Sequence, residues 1–255
     1  MSQLERFIAD TNAAETADEV FKHFETVLRN YGYDRICYSL ITDHPSLGLL
    51  AGHGVMRNYS DDWMAHYQQN GYEKLDPVPQ YCFATARPFT WDWLTKSIDL
   101  PASARQVMQE AQEAKLLDGL AIPLYGVNGE LAGVGLASSA GGTEIDRNAI
   151  STIRAIAYQF HMAYTEKDAQ GDPLQGTALT PREKEILLWA AEGKSDPVIA
   201  DIVGISYPTV RFHMSNIFRK LNAYERTLAV AKAIRQGLIL PSYVEALTDP
   251  IRVAR

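Results

Sequence analysis

Residues 179–221, LTPREKEILLWAAEGKSDPVIADIVGISYPTVRFHMSNIFRKL, constrain the fold of this 255-residue chain more than any other stretch. Thr180-Pro181-Arg182-Glu183 sets a hydroxyl N-cap, a proline at the first helical position and a glutamate at N3, which together make a capping box. Ile186, Leu187 and Ala190 then share one helical face until Gly193 supplies a left-handed stop. Ser195 is expected to cap a second helix that buries Ile199, Ile202 and Val203 and ends at Gly204. Ser206 is expected to cap a third, with Val210, Met214, Ile217 and Leu221 inward at helical spacing. That leaves Thr209, Arg211, Phe212, His213, Ser215, Asn216, Arg219 and Lys220 on or near the outer side. Three short capped helices, the third offering polar and basic groups outward, read as a helix-turn-helix DNA-binding module. A plain helical bundle whose arginine is merely solvated is the competing reading.

The charge balance bears on that choice. The chain is acidic overall, net −7, which suits a DNA binder poorly until it is divided. Residues 179–240 hold nine Lys/Arg against six Asp/Glu, a net +3, and residues 241–255 balance, so residues 1–178 carry −10. An acidic domain joined to a mildly basic one fits a sensor joined to a reader. The basic excess is small, so one copy should bind DNA weakly at physiological salt and two copies are expected to act together. The length suits two domains of unequal size.

The opening MSQLERFIAD has neither a basic start nor an apolar run, and no apolar stretch approaches the ~20 residues of a bilayer span. A soluble, cytoplasmic protein with no membrane contact is expected. Cys37 and Cys82 cannot make a disulfide framework, and no Cys/His spacing suits a metal, so both are expected as core thiols.

Taken in order, residues 2–31 carry Leu4, Phe7, Ile8, Val20, Phe21, Phe24, Val27 and Leu28 at helical spacing. Arg35–Ile41 and roughly Gly48–Gly52 are expected as strands about the turn at Asp43-His44-Pro45-Ser46. Ser60 should cap a helix bearing Trp63, Met64 and Tyr67, broken at Leu75-Asp76-Pro77. A short helix through Tyr81, Cys82 and Ala84 follows, then a helix over Pro101–Ala114. Strands Gly119–Tyr125 and Leu131–Ser138 flank Asn128-Gly129, a strong hairpin turn. Glu144–Tyr164 is a long amphipathic helix with Ile150, Ile153, Ile156, Ala157 and Phe160 inward. The fold class expected is α+β: an N-terminal α/β/α sandwich on a central antiparallel sheet, plus a C-terminal all-α helix-turn-helix bundle. The domain boundaries expected are 1–166, a polar Gly/Pro linker at 167–178, the reader at 179–240 and a tail at 241–255.

Between Tyr59 and Trp91 the aromatics with polar tips are dense, and Asp76 sits in an apolar context between Leu75 and Pro77. Two readings stay open. Aromatics at helical spacing are ordinarily core, and Asp before Pro is ordinarily a turn or cap. The alternative is a mainly apolar small-molecule pocket with few polar groups. A carboxylate buried there needs a donor, which a ligand amide would supply, while Tyr O–H and Trp N–H would serve ligand carbonyls.

The residues themselves add to this. The run LTPREKEIL…AAEGKS…IA…GIS..TV..H..NI..KL closely resembles the LuxR-type helix-turn-helix, with Glu183, Leu187 and Gly193 at its signature positions. Pro197 departs from it, since the family more often has a polar or acidic residue there, and proline is tolerable in a first turn. The spacing Tyr59…Trp63…Tyr67…Asp76-Pro77…Trp91…Gly119 resembles the autoinducer-binding domain of LuxR-type quorum-sensing regulators, which bind N-acyl homoserine lactones.

That resemblance implies that Trp63 donates to the lactone carbonyl, Asp76 accepts from the amide N–H and Tyr59 bonds the acyl carbonyl. Tyr67 and Trp91 would wall the lactone and the start of the acyl chain, with Val78 also at the ligand, and Gly119 would be structural. It further implies a homodimer on a palindromic operator in double-stranded DNA, paired through helices such as 144–164, with RNA polymerase a further partner to consider and no cofactor. On the reader helix, Arg211 is the first choice for a guanine edge. Tyr207, Thr209 and Ser215 are assigned to bases or phosphate, and His213, Arg219 and Lys220 to phosphates. Phe212 is left between a thymine methyl and a packing role. Met64 and Gly135 stand where some members place polar groups toward the acyl chain, which points to an unsubstituted, branched or aromatic acyl group.

The sequence offers no enzyme constellation. There is no HExxH, P-loop or GxSxG, and Gly133-Val134-Gly135 lacks the third glycine of a dinucleotide site. A lone Asp76 without base, nucleophile or metal partner argues against a lactone hydrolase, and no acidic cluster suggests a phosphorylated receiver. An orphan regulator responding to a different small amide, or binding DNA without ligand, stays open.

Overall fold

The computed structural model describes residues 2–42, 44, 51–126, 130–143, 145–168, 179–236 and 238–239. They fall into two compact units, one of the described residues up to 168 and one of those from 179 onward. The expected hairpin turn at Asn128-Gly129, residues 48–50 of the expected second strand, the start at Glu144, most of the linker and the tail lie outside the described residues.

In the first unit, α1 (Gln3–Ala13) and α2 (Ala17–Arg29) each begin behind a hydroxyl cap, Ser2 accepting from Glu5 N and Thr16 from Glu19 N. Then come β1 (Arg35–Leu40), β2 (Gly52–Arg57), α3 (Asp61–Gln69), α4 (Pro77–Ala84), β3 (Phe89–Thr90), α5 (Trp91–Ser97) and α6 (Ala102–Glu113). The unit closes with β4 (Leu117–Tyr125), β5 (Leu131–Ser138) and α7 (Arg147–Asp168). The five strands form one antiparallel sheet in the order β2-β1-β5-β4-β3.

Alternate residues of a strand face opposite sides of a sheet, and here the alternation sorts two environments. Ile36, Tyr38 and Leu40 of β1, with Leu120, Ile122 and Leu124 of β4, pack against α1, α2 and α7 around Phe24 and Phe160. Phe24 and Phe160 stack at 4.2 Å. On the other face, Cys37 of β1 and Ala137 of β5 meet Tyr59, Trp63, Tyr67 and Val107, and Ala121 of β4 meets Cys82 and Phe89. The expected three-layer arrangement on an antiparallel sheet is present.

Several local expectations need correcting. The second strand runs over Gly52–Arg57, sharing only Gly52 with the expected 48–52. It is an edge strand, half-buried along most of its length, and its register with β1 shifts between Tyr38 and Leu40 while Gly54 adopts φ +65°. An irregular edge of this kind carries no clean alternation to detect. The short helix begins at Pro77, earlier than expected, because Asp76 caps it: Oδ1 accepts from Val78 N at 2.8 Å. Trp91–Ser97 is a further helix, capped by Thr90. The long helix starts at Arg147, where Asp146 Oδ1 accepts from Ala149 N at 2.7 Å, and continues through Asp168, two residues into the stretch read as linker. Its Ile153, Ile156, Ala157 and Phe160 are buried, with Ile150 half-buried.

The second unit holds α8 (Pro181–Ala191), α9 (Asp196–Val203), α10 (Tyr207–Lys220) and α11 (Arg226–Arg235). The capping box at Thr180 is formed, with Glu183 N donating to Thr180 Oγ1 and Thr180 N donating to Glu183 Oε2. Gly193 and Gly204 take the left-handed conformation, φ +77° and +66°. Ser195 stands at the start of α9 without a side-chain cap bond. Pro197 at the second helical position has no N–H to donate, which removes one of the two groups such a cap serves. Ile199 and Ala200 are buried, but Val203 is half-buried and Ile202 is 44% exposed, so the inward arc of this eight-residue helix is narrower than expected.

Candidate functional site

Tyr59, Trp63, Tyr67, Asp76, Val78 and Trp91 come together around one cavity between the sheet and the layer of α3, α4, α5 and α6. Its volume of about 60 Å³ is several times the ~10–15 Å³ one water requires. Ser60 accepts from Trp63 N and starts α3, which puts Trp63 and Tyr67 one turn apart with ring centroids at 6.0 Å. Tyr59, just ahead of that cap, reaches across to Gly135 O at 3.4 Å.

Asp76 is the polar centre. Both sequence readings of it hold at once: it caps α4 and it faces the cavity. Val78 N donates to Oδ1 and Tyr67 Oη donates to Oδ2 at 3.0 Å. Burial pushes its carboxyl up to about 6, against the pull of those two donors. A carboxylate has about four acceptor sites, so capacity remains for a further N–H. The Tyr67 hydroxyl, desolvated and beside Asp76, is held far above the ordinary phenol range.

Trp91 is fixed by a missing side chain. A Cβ built on Gly119 would lie 1.8 Å from Trp91 Cδ2, so the indole occupies the space a residue with a side chain would take. Gly119 is thus structural, as expected. Gly135 also borders the cavity, where a Cβ would come within 3.3 Å of Tyr59 Oη. Met64 does not line this cavity; its Cε lies toward Gly54 at the sheet edge, which removes one of the two residues behind the acyl-group expectation.

Sequence reasoning took Cys37 only as a core thiol and did not single out Ser39 and His53; all three also line the cavity. His53 stacks on Tyr67 at 4.4 Å and 10°, with Nδ1 3.2 Å from Ser39 Oγ. Burial, helped by Arg57, lowers its imidazole to about 4, so it is neutral at pH 7. Burial likewise raises both cysteine thiols to about 12, consistent with inert core groups. The period-two alternation of β1 carried the signal for Cys37 and Ser39; nothing local marked His53.

In the second unit, Val210, Met214 and Ile217 anchor α10 in the core. Tyr207, Arg211, Phe212, Ser215 and Arg219 are exposed on it, and Thr209 and His213 are half-buried. Phe212 is 63% exposed, so it does not pack in the bundle. Thr209 is engaged at the cap with Ser206, at 2.7 Å. Lys220 is turned to the bundle, where Nζ meets Glu183 Oε2 at 2.7 Å.

No metal-binding cluster and no membrane-spanning helix occurs among the described residues. Residues 16–164 match the model of the autoinducer binding domain, and residues 177–233 that of the bacterial regulatory proteins, luxR family. The chain is similar to the transcriptional activator protein BjaR1 of Bradyrhizobium diazoefficiens, 30% identical over 92% of this chain and 95% of that one. It is also similar to RpaR of Rhodopseudomonas palustris, an HTH-type quorum sensing-dependent transcriptional regulator, at 32% identity over 88% and 89%. The crystal structure of Escherichia coli SdiA aligns with a TM-score of 0.73 and 25% identity, over 93% of this chain and 98% of that one. A sensor-like unit with a polar-centred cavity, a bundle with an outward basic helix, and similarity over most of the chain to proteins named as transcriptional regulators lead to one assignment. The chain belongs to the luxR family of bacterial regulatory proteins and is a ligand-binding transcriptional regulator of the quorum-sensing kind, an autoinducer-binding domain followed by a LuxR-type helix-turn-helix.

Proposed function

We propose that the ligand is an N-acyl homoserine lactone, and that its binding governs how a homodimer of this chain sits on a palindromic operator. The observation carrying this reading is Asp76, a buried carboxylate on the cavity wall that is still able to accept from an amide N–H. Trp63 would then donate to the lactone carbonyl and Tyr59 to the acyl carbonyl, with Tyr67, Val78 and Trp91 enclosing the rest. A ligand that binds only the folded unit stabilises it by about 2.7 kcal/mol at a hundredfold excess over Kd. The ordered sensor, over residues 1–166 or a little beyond, would pair with a second copy. Two readers over 179–240 would then meet two half-sites. Arg211 would read a base edge, with Tyr207, Thr209, Phe212, His213, Ser215 and Arg219 around it.

Mass spectrometry of small molecules extracted from the purified full chain tests this. An acyl homoserine lactone is the expected finding, and a co-purifying molecule without an amide overturns the assignment. The second outcome has a specific basis, since a solved structure shows SdiA in complex with octanoyl-rac-glycerol, an ester that has no amide N–H.

A further inference from the structure

Trp91 Nε1 is buried and has no hydrogen-bond partner among the described residues. The indole lines the cavity, and its Cζ2 lies 3.8 Å from where a Gly135 Cβ would stand, next to Tyr59 Oη. A buried donor left without an acceptor carries a desolvation penalty. Nothing in the fold lets this one relax, because the ring is lodged on the bare backbone of Gly119.

We infer that Trp91 is a hydrogen-bonding specificity residue as well as a wall of the cavity, and that its indole N–H recognises a second oxygen on the acyl group, close to the amide. This rests on the lactone reading above. Tyr59 is the donor for the first acyl oxygen, and Trp91 flanks the same side-chain-free patch at Gly135. A ligand whose acyl carbonyl meets Tyr59 therefore carries its next oxygen, at the oxo- or hydroxy-substituted third carbon, into the neighbourhood of Trp91. Gly135, without a side chain, leaves space for that oxygen between Tyr59 and Trp91. The expectation of an unsubstituted, branched or aromatic acyl group, drawn from Met64 and Gly135, runs the other way, and the test below decides between them.

The test compares Kd of the full chain for matched pairs of N-acyl and N-(3-oxoacyl) homoserine lactones over several chain lengths. The wild type is expected to prefer the oxygenated partner by about tenfold, the size of one buried hydrogen bond. Trp91→Phe keeps an aromatic ring but lacks the N–H; it is expected to weaken binding of the oxygenated ligand about tenfold more than that of its unsubstituted partner, so that the preference is lost. Should that variant fail to fold, the indole ¹⁵N–H resonances of the wild type serve instead, with the Trp91 signal shifting downfield only for the oxygenated ligand. Equal affinities in the wild type, a preference that survives in Trp91→Phe, or an indole signal indifferent to the oxygen overturns the inference alone. Failure of both ligand series to bind overturns the lactone reading and this inference with it.

Discussion

Replacing Asp76 with Asn should make the free protein more stable near neutral pH while weakening its response to ligand. The carboxyl is held at about 6 against an ordinary 3.8, a difference worth about 3 kcal/mol against the charged folded state. Because the folded value is the higher one, the penalty is complete above pH 6. It fades as the pH falls through 6 toward 4, so the first unit gains stability on mild acidification. By about pH 5, roughly half of the penalty is gone. Asn carries no charge, but it puts an NH2 where Asp76 has its second oxygen, so Val78 N and Tyr67 Oη no longer each have an acceptor oxygen of their own, and weakening one of the two bonds costs about 1 kcal/mol. The expected balance is Asp76→Asn more stable than wild type by about 2 kcal/mol near pH 7.5, and close to level near pH 5. Urea unfolding of ligand-free protein followed by tryptophan fluorescence measures this, with Trp189→Phe in both backgrounds so that the signal comes from the first unit. A gap that does not change between the two pH values, or a variant less stable than wild type at both, would refute the reasoning. A residue that destabilises its own fold in order to bind is a familiar pattern at functional sites.

Gly119→Ala drives a methyl into the Trp91 indole, and should cost about 1–3 kcal/mol by overpacking and abolish ligand-induced stabilisation; an unchanged urea midpoint would sink it. Lys220→Met leaves Glu183, which is 3% exposed, without its ammonium partner, and should destabilise the second unit by about 1–3 kcal/mol. Burial raises the Glu183 carboxyl, but Lys220 and the Thr180 cap outweigh it and hold it below its ordinary value. Wild type therefore loses that stabilisation as the pH falls through the carboxylate range, and Lys220→Met should lose less, as read by acid titration of Trp189 fluorescence. Arg211→Ala should relax discrimination at one base pair by about 1–3 kcal/mol in competition with operator variants, whereas uniform weakening would assign Arg211 to a phosphate.

What was legible in the sequence follows from how local the determining physics is. Caps and stops are local, and Thr180, Ser206, Gly193 and Gly204 behave as expected because each acts within a few residues of itself. Ser195 shows the limit: the same local logic fails once Pro197 withdraws a donor. The edge strand at Gly52–Arg57 depends on pairing with β1, which lies outside any window along the chain. The cavity was legible as a cluster of aromatics about Asp76. Its third side, His53 with Ser39, is assembled across two strands, and the solitary Trp91 N–H becomes visible only once its neighbours are placed. Lys220 looked like one more outward cation until Glu183, from a helix 37 residues earlier, turned it inward.

The two-faced character of β1 limits how such a receptor can diversify. Cys37 and Ser39 border the cavity while Ile36, Tyr38 and Leu40 belong to the helical core on the other side. Deleting or inserting one residue in this strand would exchange the two sets, sending Tyr38 into the ligand's place and Ser39 among the phenylalanines. Descendants of this chain can therefore retune their chemical preference by point replacement along β1, but not by changing its length.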